Sequence, residues 1–202
     1  DLAQFQFDYD LTWAVVFLNT DGTVYGRYGS RSAEGPMAYN SIPSLKKAME
    51  RVLGLHQDYP ANRSRLVGKN QPNPRWKKAK EIPGLRERMQ KQLNQPVGPR
   101  NCIHCHNIYD GWRNTAYDQD TFKTEDLWLY PLPENIGLKI DVDEGNVIES
   151  VLLNPATTGI DLKVGDRIQT ANGQSIISVA DLQWVLNGLP AEAKLNLRVE
   201  RE

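Results

Sequence analysis

Residues 162–176, LKVGDRIQTANGQSI, lead through Ile177 into residues 178–186, SVADLQWVL. Gly165-Asp166 makes a tight turn before residues 167–170, a core strand, and Asn172-Gly173 closes the hairpin that follows. Residues 181–186 then read as a helix. Outward from this stretch, IGLKIDV (136–142), VIESVLL (147–153) and LNLRVE (195–200) are strand-like. Turns at Asp143-Glu144-Gly145 and Ala171-Asn172-Gly173 separate them.

This order of strands, turns and helix resembles a PDZ domain of the bacterial type found in periplasmic proteases, over residues 127–202. The resemblance implies a groove in which an extended peptide adds as a strand, its terminal carboxylate held by backbone amides of a short loop. The loop pattern falls on Asn135-Ile136-Gly137-Leu138, so Ile136, Gly137 and Leu138 are candidate peptide-binding residues, with 136–140 as the augmented strand. Asp181 and Val185, one helical turn apart, are expected to face the groove, and Leu182 and Leu186 the core. A vestigial groove used as a fixed contact surface is the other reading. No Ser-His-Asp arrangement is readable, so protease activity does not carry over.

Towards the other end, residues 12–18 (TWAVVFL) read as a buried strand, Asn19-Thr20-Asp21-Gly22 as a turn, and residues 23–28 (TVYGRY) as the returning strand. A helix is expected from about Pro43 to His56, with Leu45, Met49, Val52 and His56 on one face. Hairpin followed by helix resembles the C-terminal half of a thioredoxin-like domain, covering residues 1–58. Only eleven residues precede the hairpin, so the redox pair of such domains has no counterpart here.

Between these segments, residues 59–100 hold six of the chain's 12 prolines and read as an extended linker with one short helix at about 84–93. Charge is uneven: residues 61–100 carry 11 Lys/Arg against Glu81 and Glu87, whereas residues 118–202 carry 15 acidic against 7 basic residues. Such asymmetry implies docking within the chain or an oriented encounter with a charged partner, or two differently solvated surfaces. No recognisable nucleic-acid-binding module accompanies the basic stretch.

Both cysteines lie in one pentapeptide, Cys102-Ile103-His104-Cys105-His106, which excludes a disulfide framework. Two thiols that reach the two vinyl groups of one porphyrin, with an imidazole just beyond, are what covalent haem attachment requires. The motif resembles that of c-type cytochromes. One haem c is therefore expected, with Cys102 and Cys105 as thioether anchors and His106 as the proximal iron ligand. His56 is the distal candidate and Met89 the alternative; an open sixth position is a third arrangement. A thiol redox pair, a zinc site and a disulfide are rival readings of the same residues.

The expected fold class is α+β in three parts: thioredoxin-like 1–58, linker and haem segment 59–120, PDZ-like β-sandwich or barrel 127–202. The function this implies is a monohaem c-type cytochrome in electron transfer, docked to a protein partner or larger redox complex. A haem enzyme or sensor and a non-haem scaffold with a zinc or disulfide CxxC are the alternatives. No run is long enough to span a bilayer. A periplasmic or otherwise exported location follows from the haem motif. Asp1 opens the sequence without a signal-peptide pattern, through processing or because the sequence begins partway through a longer product.

Overall fold

A computed structural model describes residues 1–71, 73–96, 103–127 and 129–201. In chain order the first elements are β1 (Val15–Leu18), β2 (Val24–Tyr28) and α1 (Ile42–Gln57). Helices α2 (Glu87–Leu93) and α3 (His106–Asp118) follow. The C-terminal part contributes β3 (Leu138–Ile140), β4 (Ile148–Val151), β5 (Arg167–Ala171), β6 (Gln174–Ser175), α4 (Val179–Asn187) and β7 (Leu197–Glu200). The mixture is α+β. It divides into two compact units, one of Asp1–Leu11 with Asn70–Leu129, the other of Thr12–Lys69 with Tyr130–Glu202.

In the second unit, β1 and β2 pair antiparallel with Val15 opposite Tyr28 and Phe17 opposite Gly26. The turn closes through the Thr23 carbonyl, which accepts from Asn19 N–H at 2.8 Å, and Gly22 takes φ 83°. A hairpin strand with one wet face buries alternate residues, yet all five residues of β2 are buried. The reason is that β2 packs against both α1 and α4. Tyr25 and Tyr28 pack with Ala48 and Leu55 of α1, while Gly26 leaves so little room that a Cβ there would lie 2.5 Å from the Ile177 side chain.

Ser41 caps α1, its hydroxyl accepting from Ser44 N–H at 3.1 Å, with Pro43 in the first turn. The helix lies where expected but is rolled: Ser44, Ala48 and Leu55 are buried, Leu45 and Val52 pack against the same cluster as expected, and Met49, 49% exposed, and His56 face outward. The tyrosines of β2 explain the roll. Their rings demand small residues opposite, and the Tyr28 hydroxyl meets Ser44 Oγ at 2.7 Å.

The C-terminal part builds its core from Leu138, Ile140, Ile148, Ile168, Ile176 and Leu182, with neighbours on β5 and α4. Strands β3 and β4 pair antiparallel, and β5 lies between β6 and β7. Ile148 N–H donates to the Asp166 carbonyl at 2.9 Å and Ile168 N–H to the Asn146 carbonyl at 2.8 Å, which ties the two sheets together. Asn172 and Gly173 take φ 46° and 79°, the positive angles expected of that turn. The strands are shorter than their sequence patterns, and Leu152 and Leu153 lie exposed beyond the end of β4.

The first unit is organised on α3. Ile108 and Tyr109 are buried, and Tyr109 and Trp112 meet Tyr9 edge to face at 5.4 and 5.6 Å. Residues 82–85 pack onto the helix: Gly84 N–H donates to Thr115 Oγ1 at 2.8 Å, and Asn114 Nδ2 to the Gly84 carbonyl at 3.0 Å. The short helix begins at Glu87 and not at Gly84, because Gly84 is held in this contact. Gln6 and Gln71 bond reciprocally, so residues 70–71 are built into the unit instead of running as free linker.

Candidate functional site

The loop expected to hold a peptide carboxylate is a tight turn before β3. Gly137 takes φ 77°, its N–H donates to the Glu134 carbonyl at 2.9 Å, and its carbonyl accepts from Leu152 N–H at 2.8 Å. A Cβ on Gly137 would lie 2.6 Å from Asn154 Cβ, so both the angle and the space require glycine. Burial raises the Glu134 carboxyl above the ordinary range. Beside this turn lies a cavity of about 720 Å³ whose lining includes Ile136, Leu138, Ile160, Leu186 and Leu189. Ile136 and Leu138 thus line one cavity together with Leu186, which with Leu182 also belongs to the core, as its helical position implies.

Asp181 and Val185 do not face that cavity. Val185 is a core residue, 4% exposed. Asp181, 1% exposed, turns to β2: its carboxylate accepts from Arg27 N–H at 3.1 Å and from Ile177 N–H at 3.2 Å, and meets Lys69 Nζ at 2.9 Å. Burial pushes the Lys69 ammonium below its usual range, and Asp181 opposes that shift. The Arg27 guanidinium donates to the Lys69 carbonyl and lies 3.9 Å over the Trp184 ring, whose Nε1 donates to the Gly68 carbonyl at 2.8 Å. One side of α4 is thus committed to the hairpin and to residues 68–69. Helical spacing shows which residues share a side, but not what covers it.

Residues 129–200 match the PDZ domain. PDZ domains are protein-interaction modules, and the match suggests binding of a protein or peptide partner by this part of the chain. Nothing found in the comparison supports the c-type cytochrome or thioredoxin resemblance. No curated protein and no solved structure matches the chain. Among the described residues no helix is long and apolar enough to cross a membrane.

The cysteine motif lies in the first unit, and Cys102 is outside the described residues. Cys105 is the N-cap of α3 and His106 its first residue; both are exposed. The rings of His104 and His106 stack with centroids 5.5 Å apart. His56 belongs to the second unit, where its Nδ1 pairs with the Tyr25 hydroxyl at 2.7 Å, and Met89 is half-buried on α2. Among the described residues, no three His, Cys, Asp or Glu side chains come together as a metal-binding group. Cys105 and His106, both open to solvent, are residue types that suit the donor set of a c-type haem.

The contacts that sequence reading missed lie between the PDZ domain and residues 27–41. Tyr39 is 6% exposed within the PDZ core. Ser30 Oγ donates to Gln183 Oε1 at 2.6 Å, and the Ser41 hydroxyl to the Val142 carbonyl at 3.3 Å. No periodic pattern marks these residues. Their one local signal is the pair of glycines, Gly29 and Gly35, at φ 114° and 127°.

Proposed function

We propose that this protein is a monohaem c-type electron carrier held on a protein partner through its PDZ-bearing unit. The observation that carries the reading is Cys102-Ile103-His104-Cys105-His106: it uses both cysteines of the chain, and its described half opens α3 with thiol and imidazole exposed. Cys102 and Cys105 are the anchors and His106 the proximal ligand, with His56 or Met89 as the sixth. Haem would supply one-electron chemistry at a potential set by that sixth ligand. Docking to a redox partner is oriented by the basic stretch 61–100 and the acidic stretch 118–202, and weakens as salt rises. A periplasmic or otherwise exported location belongs to the same reading.

Expression of the full chain in a host able to attach haem, followed by intact mass and haem staining of a denaturing gel, tests it. The expected result is a mass increase of one haem that the Cys102→Ala/Cys105→Ala double variant lacks. An unmodified mass removes haem from the protein and leaves a PDZ interaction scaffold whose CxxC binds zinc or forms a disulfide. In haem-loaded protein, replacing His56 with Ala is expected to convert a low-spin spectrum to a high-spin one. If that spectrum does not change, the sixth ligand lies elsewhere, with Met89 next to be replaced. A high-spin spectrum in the unsubstituted protein would instead indicate an open sixth position and ligand-binding chemistry.

A further inference from the structure

A PDZ groove has two walls, here β3 and α4, and a peptide that adds to the free edge of β3 must lie between them. In this chain the segment joining β2 to α1 is anchored on both walls. At one end, Ser30 Oγ bonds to Gln183 of α4 at 2.6 Å. At the other, Ser41 Oγ donates to the carbonyl of Val142, just past β3, at 3.3 Å. Between the anchors, Tyr39 is buried in the same cluster as Leu138 and Ile140 of β3 and Val179 and Leu182 of α4, with Ala38 packed against that cluster. Glu34 lies close enough to act electrostatically on Lys139 of β3 and on Glu134 beside the carboxylate loop.

The segment is held in shape by its own bonds. Asn40 pairs with Ser30 as a strand residue would: its Oδ1 accepts from Ser30 N–H at 3.2 Å, and its Nδ2 donates to the Ser30 carbonyl at 2.5 Å. The same Nδ2 donates to the Pro36 carbonyl at 2.6 Å. Gly35 N–H bonds to the Ser32 carbonyl at 3.0 Å, and positive φ at Gly29 and Gly35 lets the chain double back at both places. A loop clasped at its neck by one asparagine is a preformed plug, with little conformational freedom left to lose on docking.

We infer that residues 30–41 occupy the PDZ groove as a built-in ligand anchored by Tyr39, and that an outside peptide enters only when this loop leaves. The inference rests on reading residues 129–200 as a peptide-binding PDZ module. The cavity beside the Asn135–Gly137 turn is where an entering chain terminus would seat its last side chain. An equilibrium that leaves the groove open in about a tenth of the molecules weakens an outside peptide about tenfold. Release of the loop then acts as a gain control on partner binding.

The test uses the full chain, Tyr39→Ala and Asn40→Ala, the second variant because its bonds lie within the loop and leave the core apolar contacts intact. The probe is a fluorescein-labelled hexapeptide pool ending in free Val, Leu, Ile or Phe, with an amidated pool as control. Binding is read by fluorescence anisotropy, and amide hydrogen exchange is followed at residues 138–142 and 179–187, with β5 and β7 reporting that each variant is folded. Both variants are expected to bind the free-carboxylate pool about tenfold or more tightly than the unsubstituted chain, with faster exchange along β3. Equal binding by all three would show an open groove and overturn the inference. If no protein binds the pool, exchange decides: faster exchange at 138–142 in the variants keeps the plug and ends the peptide-binding reading. Unchanged exchange there ends the plug.

Discussion

Asp181 shows how one residue's environment overrides its position in a motif. It lies in the first turn of α4, where an acidic side chain suits the helix dipole, yet its carboxylate is turned inward to Lys69 and the Arg27 backbone. Removing its charge leaves Lys69 buried beside Arg27 without a counter-ion. Asp181→Asn is therefore expected to cost about 3–5 kcal/mol in urea unfolding, the usual loss when one partner of a buried pair goes. A loss near zero would mean that water reaches the cluster. Asp166 gives the pH counterpart. Two Arg201 nitrogens donate to it at 2.7 and 2.8 Å, and this holds its carboxyl at about 2 against an ordinary 3.8. A carboxyl held below its unfolded value adds stability above about pH 4 and loses it as pH falls towards about 2. Urea midpoints taken across that range should fall less steeply in Asp166→Asn than in the unsubstituted chain.

At the level of elements, β2 is the strand on which the second unit turns, because α1 and α4 both pack on it and all five of its residues are buried. Gly26 makes the second contact possible: a Cβ there would lie 2.5 Å from Ile177 and 2.6 Å from Asp181 Oδ2. Gly26→Ala is expected to cost about 1–3 kcal/mol by overpacking, read as a lower urea midpoint. Tolerance of Gly26→Val would show that the strand and helix are not in register as described. The first unit has its own close approach, where a Cβ on Gly84 would strike the Gly111 carbonyl and the Thr115 backbone of α3. The reading of α1 carries the lesson for sequence patterns. Its limits were legible from Pro43 and the apolar spacing, but its roll was not. Two registers of apolar residues fit the helix, and the choice between them is made by the size of Tyr25 and Tyr28 on another element.

For the whole molecule, the two compact units predict two calorimetric transitions in place of one. Gly26→Ala should lower one transition and Gly84→Ala the other; a single transition shifted by both would show one cooperative body. The same division makes the PDZ match an incomplete folding unit, since Ser178, Asp181, Gln183 and Trp184 all bond to residues 27–30 or 68–69. A fragment of residues 129–202 is expected to be markedly less stable than the same residues in the intact chain, and to recover on co-expression with residues 12–69. Full stability of the fragment alone would show that the hairpin and α1 are passengers.

What the sequence determined by itself is local. Asn172-Gly173 and Gly137 mark turns because few other residues tolerate positive φ, and Pro43 marks a helix start because its fixed φ and missing N–H suit the first turn. The PDZ pattern, read over residues 127–202 and matched over 129–200, was legible for the same reason: its turns, strands and helix each follow from neighbours in the chain. Only the tertiary structure decided that the hairpin packs on α4, that Asp181 turns from the groove to Lys69, and that Tyr39 enters the PDZ core. Arg27 and Asp181 stand 154 positions apart, and a hydrogen bond between them leaves no periodicity in either stretch. Burial on both sides of β2 likewise depends on which surfaces meet, and that is set by shape and charge across the folded chain.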